Sequence, residues 1–144
     1  MRIDEIDQED ADIDWFATDG NGHVIHVASG GGILPESVAA SQEVLLELHQ
    51  YFLMLPELEV AEVVSGAEEA SSYRSVGRYA RRGLFSFEKT HLHERADTRY
   101  HLVARPLRPL LVAELPKNIA QLLTRTLLPG IVAELVQLDS ATIL

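Results

Sequence analysis

One short segment, Asp19-Gly20-Asn21-Gly22, constrains the fold of this chain more than any other feature of the sequence. It lies between residues 13–18 and residues 23–29, two runs rich in β-branched, aromatic and small apolar side chains. Gly and Asn tolerate the positive φ of a tight turn, so the pattern predicts a β-hairpin. Symmetrical closure of the turn pairs Trp15 with His26 and Ala17 with Val24. This register predicts one largely apolar face that meets the core, made of Ile13, Trp15, Ala17, Val24, His26 and Ala28.

Three consecutive glycines, residues 30–32, follow the hairpin at a place where phosphate-binding loops also occur. A Walker loop needs Gly-Lys-Ser/Thr at the start of the helix, and a dinucleotide-binding loop needs G-x-G-x-x-G after a parallel strand. Residues 29–35 match neither pattern, and Glu36 would repel phosphate. The glycines therefore predict a structural corner, where the chain takes unusual φ values and approaches another backbone closely.

Three later segments have the apolar spacing of helices. The first opens at Pro35 and ends at Pro56, and we expect one long helix. The second begins with a Ser-x-x-Glu capping box at residues 65–68 and reaches residue 82, with Gly83 as its stop. The third opens at Pro116 and carries Ile119, Leu122, Leu123 and Leu127 before Pro129-Gly130 breaks it.

The remaining segments are shorter and less regular. Residues 84–89 and 99–104 predict a second hairpin, and residues 110–115 predict a short strand or extended segment. Residues 57–64 fit either a strand or a linker, and residues 131–138 fit either a strand or a short helix. Together the elements predict an α+β domain in which an antiparallel sheet of about five strands packs against about three helices. We expect one globular domain over residues 12–144, preceded by a weakly ordered acidic lead-in at residues 1–11.

Composition narrows the setting of the protein. With 144 residues and 47% hydrophobic content, the chain has the size of one domain with a substantial core. It contains no cysteine, which excludes disulfides and thiolate metal sites. No segment has the pattern of a secretory signal or the roughly 18 continuous apolar residues of a membrane span. We therefore expect a soluble cytoplasmic protein that does not bind membranes.

The charge is distributed unevenly along the chain. Residues 1–69 hold 16 acidic residues and one arginine, whereas residues 70–144 hold 11 basic and six acidic residues. The net charge of −10 argues against nucleic acid as a partner, because such binding depends on neutralising phosphates. Two interpretations remain open: the two halves attract each other within the fold, or an acidic surface steers a basic partner.

Two groups of residues are candidates for chemistry. His26 and Ser29 are close in sequence, but a regular strand points them to opposite faces and prevents a direct hydrogen bond. His91, His93 and His101 would form a three-histidine cation site if a turn brought them together, although a solvated turn is the simpler interpretation. Asp19 begins a segment that lacks the later ligands of a calcium loop. We therefore assign no catalytic residue, cofactor site or metal ligand.

Two charged helix stripes are candidates for binding a partner. The acidic stripe of the first helix includes Glu36, Glu43 and Glu47, and the basic stripe of the second includes Arg74, Arg78 and Arg81, continued by Arg82. Solvated faces are the alternative interpretation for both.

The sequence also resembles a family of small uncharacterised bacterial proteins. The resemblance spans most of residues 12–130 and rests on a DWF…DGxG…H..SGG signature with further matching positions, namely Asp14-Trp15-Phe16, residues 19–22, His26, Ser29-Gly30-Gly31, Gly83-Leu84-Phe85, Tyr100, Pro106, Pro109-Leu110, Leu115-Pro116 and Ile119. Such small acidic domains resemble immunity proteins, which neutralise a toxin by binding it in the cytoplasm. The resemblance carries over no catalytic residue.

We therefore expect a non-enzymatic protein-binding domain, immunity-like, with a basic toxin as its partner. The alternative is a small-molecule-binding domain or enzyme with a site near His26 and Ser29 or near His91, His93 and His101. A third interpretation is a subunit that assembles only with itself. A deep pocket lined by histidines would favour the enzyme, whereas a flat acidic surface would favour protein binding.

Overall fold

The computed structural model of this protein describes residues 1–57, 61–63, 77–92 and 94–143. The helices are α1 (Glu5–Asp10), α2 (Glu36–Ala39), α3 (Gln42–Met54), α4, of which residues 77–80 are described, and α5 (Lys117–Leu123). The strands are β1 (Asp14–Thr18), β2 (Val24–Ala28), β3 (Ala61–Val63), β4 (Phe85–Lys89), β5 (Arg99–Pro106) and β6 (Gln137–Asp139). Among the described residues, no helix is long and apolar enough to cross a membrane.

The strands form one mixed sheet in the order β1-β2-β4-β5-β3, and β6 pairs with the first residues of β5. The predicted α+β domain is confirmed, and so is the second hairpin, which consists of β4 and β5. The sheet is not wholly antiparallel, because β2 and β4 run parallel. A long connection containing α2 and α3 separates these two strands, and a parallel pair requires such a crossover.

The first hairpin forms, but its register differs from the predicted one by a single residue. Trp15 lies opposite Val27, and Phe16 lies opposite His26. The turn causes the shift, because residues 19–23 all lie outside the ladder, and the Asp19 carboxylate accepts hydrogen bonds from the amides at positions 21 and 23, each 3.0 Å long. The predicted hairpin face, which placed Trp15 and Ala17 on the same side as Val24 and His26, is therefore wrong.

Both faces of the sheet are buried, which follows from the observed register. Trp15 and Ala17 share one face with Ile25 and Val27, and this face is covered by residues from the N-terminus, α2 and the C-terminal segment: Ile3, Leu34, Val38, Ala39, Leu128, Val132, Leu138 and Ile143. Phe16 and Val24 lie on the opposite face, which α3, α4 and α5 cover through Leu48, Phe52, Tyr79, Ile119 and Leu123. His26 contacts Phe16 on this second face.

The glycine run forms the predicted corner. Gly30 and Gly31 have φ values of 56° and 79°, in the left-handed region that favours glycine. A β-carbon on Gly31 would lie 2.9 Å from the backbone oxygen of Glu9. The corner therefore leaves the sheet at positive φ and passes directly against the end of α1, as the sequence predicted.

Residues 1–11, for which composition predicted a weakly ordered lead-in, form α1 and pack against the rest of the domain. The Asp4 side chain caps the helix by accepting a hydrogen bond from the amide of Asp7. Gln8 is buried, donating to the Ile3 carbonyl at 2.9 Å and accepting from the Leu34 amide at 3.0 Å. The Gln8 side chain thus connects residues 1–11 to the segment that follows the glycine corner.

The helix predicted between Pro35 and Pro56 is instead two helices, α2 and α3. Ser41 interrupts it with an extended backbone, at φ −147°, and its hydroxyl accepts a hydrogen bond from the Val44 amide. Serine favours such N-cap positions over helix interiors because its side chain competes for backbone hydrogen bonds. α3 therefore begins as a separate helix at Gln42.

The end of α4 matches the prediction, whereas its predicted capping box at residues 65–68 lies outside the described residues. Gly83 has a φ of 103°. The amide of Leu84 bonds the Tyr79 carbonyl and the amide of Gly83 bonds the Ala80 carbonyl, both at 3.1 Å. These two bonds form a Schellman motif.

The less regular segments resolve as follows. Residues 57–64 contain β3, and residues 131–138 contain a 3₁₀ turn, Val132–Glu134, and the start of β6. Residues 110–115 form mainly a second 3₁₀ turn, Val112–Glu114, rather than a strand, because Glu114 accepts the Leu111 amide. The helix after Pro116 ends at Leu123.

The glycine corner gives a matched test of backbone strain. We expect Gly31→Ala to lower the free energy of unfolding by about 1–3 kcal/mol, because alanine disfavours positive φ and its β-carbon would press on the Glu9 oxygen. Gly20→Ala is the control, since nothing lies within 4 Å of an added β-carbon there. Urea denaturation measures both; equal stability of the two variants would contradict the corner.

The core position of Trp15 gives a second test. Trp15 is fully buried and makes an edge contact with Tyr100. We expect Trp15→Ala to lower the free energy of unfolding by about 3–5 kcal/mol, as the truncation of large side chains in cores does. Met54→Ala is the control, because this side chain is 83% exposed. Thermal melting of both variants measures this difference. Equal melting temperatures would contradict the packing of Trp15.

Candidate functional site

A groove of about 530 Å³ opens between α1, the residues leading into β1, and α3. This volume lies within the range of roughly 300–1,000 Å³ that is common for ligand sites. The groove is lined by Ile3, Asp7, Asp10, Ala11, Asp12, Ile13, Asp14, Gln42, Leu45, Leu46 and His49. It is the feature of the described residues that best combines space, charge and titratable groups.

Four aspartates give one wall of the groove its negative charge. Asp7 and Asp10 are three residues apart on α1, a spacing that places both on one side of a helix. Asp12 and Asp14 are two residues apart where the chain is extended, so their side chains also point to one side. The change from helical to extended spacing thus brings all four residues to the groove, where Asp12 Oδ1 also accepts a hydrogen bond of 2.8 Å from the Gly30 amide.

Helix α3 forms the other wall. Its groove residues, Gln42, Leu45, Leu46 and His49, follow the i, i+3, i+4, i+7 spacing of a single helix face. Leu46 is 53% exposed, whereas Ile3 on the opposite side is buried. The groove therefore combines an acidic rim with apolar side chains, and His49 stands at one end.

A hydrogen-bonded network joins the groove to the core. Asp14 Oδ1 lies 2.7 Å from His26 Nε2, and Asp14 Oδ2 accepts a longer bond of 3.4 Å from the Tyr79 hydroxyl. The same hydroxyl lies 3.1 Å from Nδ1 of His49. The Tyr79 ring stacks on His26 with 3.9 Å between ring centroids, which holds both rings in place.

The electrostatics of the network fix the charge of Asp14. Burial alone raises the pKa of the Asp14 carboxyl, but the hydrogen bond to His26 and the charges of His26, His49 and Arg78 outweigh it, so this pKa lies below its usual value. Burial and the charge of Asp14 raise the pKa of Tyr79. Asp14 is therefore an ionised acceptor at neutral pH, and Tyr79 is a protonated donor.

These charges also assign the protons. A carboxylate only accepts hydrogen bonds, so Tyr79 donates to Asp14 and its oxygen accepts from Nδ1–H of His49. His26 Nδ1 is buried, with no hydrogen-bond partner in the described part of the chain.

The arrangement is suited to holding a hydrogen-bond donor that carries positive charge. Asp14 is about one-quarter exposed, so its carboxylate is partly desolvated but still reachable. His26 is 1% exposed and does not line the groove, so it orients Asp14 from behind. Asp14 and His49 are therefore the groups of this network that a bound molecule would contact.

The candidate pair of His26 and Ser29 is not brought together. Ser29 accepts the Ile13 amide at 2.7 Å, and His26 bonds Asp14. The parity of the strand separates the two side chains, as the sequence predicted. His26 therefore takes part in the network through a residue that the sequence reasoning did not pair with it.

Of the candidate histidines near the second hairpin, His91 and His101 have different partners. His91 bonds Asp97, and His101 Nε2 lies 3.6 Å from Glu88. His93 lies outside the described residues. His91 groups instead with Glu94 and Asp97, whose ligand atoms lie within 4.8 Å of one another. Arg99 donates to both oxygens of Asp97 and keeps the pKa of that carboxyl well below its usual range, so a cation would compete with a guanidinium.

The predicted partner-binding residues occupy different surroundings. Glu36 pairs with Arg2 at 2.7 Å, Glu43 pairs with the N-terminal amine, and Arg81 pairs with Glu57. Glu47 is exposed, Arg78 lies 5.7 Å from the centroid of the Tyr79 ring, and Arg74 lies outside the described residues. Their role in binding a partner stays a prediction.

Sequence reasoning missed the groove. The D-x-x-D-x-D-x-D pattern of residues 7–14 and the helical spacing of residues 42–49 were both visible. Reading them together would have suggested two walls of one site. No sequence signal connects Tyr79 to Asp14, because the contact joins distant parts of the chain.

The network gives a test that depends on pH. Because the folded pKa of Asp14 is depressed, its contribution to stability is present above the unfolded pKa of about 4 and is lost as pH falls through the folded pKa. We expect Asp14→Asn to cost about 1–3 kcal/mol at pH 7 and less at pH 3. Urea denaturation at both pH values measures this; Asp10→Asn is the exposed control, and a pH-independent difference would contradict the assignment.

Comparison of the chain with protein-family models, with curated proteins and with solved structures finds no match.

Proposed function

We propose that this protein is a non-enzymatic protein-binding domain, immunity-like, that neutralises a basic partner by binding it. One observation carries the proposal: acidic side chains of the first half of the chain stay exposed on one wall of a groove whose other wall, α3, is largely apolar. Apolar area gives such a surface affinity, and the charge gives it selectivity for a basic partner and a fast encounter.

Pairing within the fold does not account for this acidic surface. Glu57 pairs with Arg81 and Arg82, which joins the acidic half to the basic half at one place. Asp7, Asp10 and Glu47 are exposed, and none of the salt bridges found in the described ranges engages them. These charges are therefore in position to act on another molecule.

The alternative function, binding a small molecule or catalysis, is favoured by the volume of the groove and by Asp14 and His49 within it. It differs from the first proposal in what the groove would hold. A metabolite that co-purifies with the protein, together with the absence of any basic protein partner, would favour this alternative.

The test of protein binding starts from candidates of defined chemistry. Basic proteins encoded by neighbouring genes in the native host are purified and mixed with this protein, and binding is measured by surface plasmon resonance. Co-expression in a test bacterium then measures whether this protein restores growth when the partner is toxic. Absence of any such pair would contradict the proposed function.

For a partner found in this way, we expect the association rate constant to fall at least about tenfold from low to high salt, because exposed charges steer the encounter. The double variant Asp7→Asn, Asp10→Asn should also associate more slowly. Glu134→Gln is the control, an exposed acid that does not line the groove. A rate independent of salt and of the double variant would contradict steering by this surface.

A further inference from the structure

We propose that the groove holds an arginine side chain from an extended segment of the partner, with its guanidinium against the carboxylate of Asp14. This inference rests on the proposed function and deepens it, because it names the side chain that is recognised and the atoms that recognise it.

The charge of the groove selects a cation. Every carboxylate that lines it comes from one wall, and no lysine or arginine is among the lining residues of the described chain. An anionic ligand would meet repulsion from four aspartates, whereas a cationic side chain would be attracted to them.

The hydrogen bonds of Asp14 leave capacity for this cation. Oδ1 is committed to His26 at 2.7 Å, whereas Oδ2 receives only the long bond of 3.4 Å from Tyr79. A carboxylate oxygen accepts two hydrogen bonds, so Oδ2 has room for a better donor. The partner's donor would then complete a carboxylate that His26 already holds in position.

More than one acceptor lines the groove, which favours arginine over lysine. Asp14 Oδ2 has room for a donor, and three further aspartates line the same wall. A guanidinium presents several N–H groups in a rigid plane and donates to separate acceptors at once, whereas an ammonium is a compact point charge. The aliphatic stem of the arginine would lie along Leu45 and Leu46.

The backbone beside the groove indicates an extended segment. β1 is an edge strand, and its residues alternate in direction: the Ile13 carbonyl faces β2, whereas Thr18 bonds residues 126 and 128 on the outer side. By this alternation the amide and carbonyl of Asp14 also face outward, away from β2. An extended chain could pair with them as strands do.

The test uses a defined probe instead of the unidentified partner. Three capped nine-residue peptides are made, identical except for a central arginine, lysine or citrulline, since citrulline keeps the shape of arginine without its charge. Binding is followed by ¹⁵N-resolved NMR of the full chain. We expect the arginine peptide to shift the amides of residues 11–14 and His49, with at least tenfold weaker binding of citrulline and measurably weaker binding of lysine.

Two variants separate the site from folding. Asp14→Asn should lose the preference for arginine over citrulline. Leu46→Arg, at a side chain that is 53% exposed, places a cation in the groove without touching the network and should reduce peptide binding at least tenfold. Leu107→Arg is the matched control, because Leu107 is 57% exposed and does not line the groove.

Equal binding of the arginine and citrulline peptides, absence of binding, or shifts confined to another surface would overturn the inference. The outcomes also separate it from the proposed function. A basic protein that binds the parent and Leu46→Arg equally would contradict recognition in the groove but support the proposed function. Binding of the arginine peptide without any basic protein partner would support recognition in the groove and contradict the proposed function.

Discussion

The structure depends on the adjacent aromatic residues Trp15 and Phe16 in edge strand β1. Neighbouring residues of a strand point to opposite faces, so this pair requires both faces of the sheet to be covered. The N-terminal residues, α2 and the C-terminal segment cover Trp15, whereas α3, α4 and α5 cover Phe16. Within β1 only Asp14, at its first position, stays partly exposed.

The same strand parity places Asp14 at the candidate site. Asp14 shares the direction of Phe16, so it faces His26 on β2 and the layer that contains α3 and α4. The Schellman motif at Gly83 ends α4 and bonds the Tyr79 carbonyl, next to the side chain whose hydroxyl bridges Asp14 and His49. A charged residue is therefore held at the boundary between core and groove, where partial burial strengthens its interaction with a cation.

The glycine corner and Gln8 complete the site from the other side. Because Gly31 passes against Glu9 without a β-carbon, α1 lies close to the start of β1, and Gln8 fastens it through two hydrogen bonds. Four aspartates consequently line one groove. An acidic segment that composition assigns to a loose terminus becomes a wall of the proposed binding surface.

The sequence by itself determined the elements whose signals are local. Turn residues at 19–22, the glycine corner, the Gly83 stop and the second hairpin were predicted from neighbouring residues, because φ preferences and capping act over a few positions. The hairpin register and the break at Ser41 depend on side-chain hydrogen bonds to the backbone, made by Asp19 and Ser41. The same residue pattern is compatible with other choices of these bonds, so the pattern alone did not predict them. Only the tertiary structure brought Asp14, His49 and Tyr79 together and set α1 beside α3. These contacts join segments far apart in the chain. Burial of the shared core decides which distant side chains meet, and because the hydrophobic effect is non-directional, the sequence pattern alone does not specify the pairs.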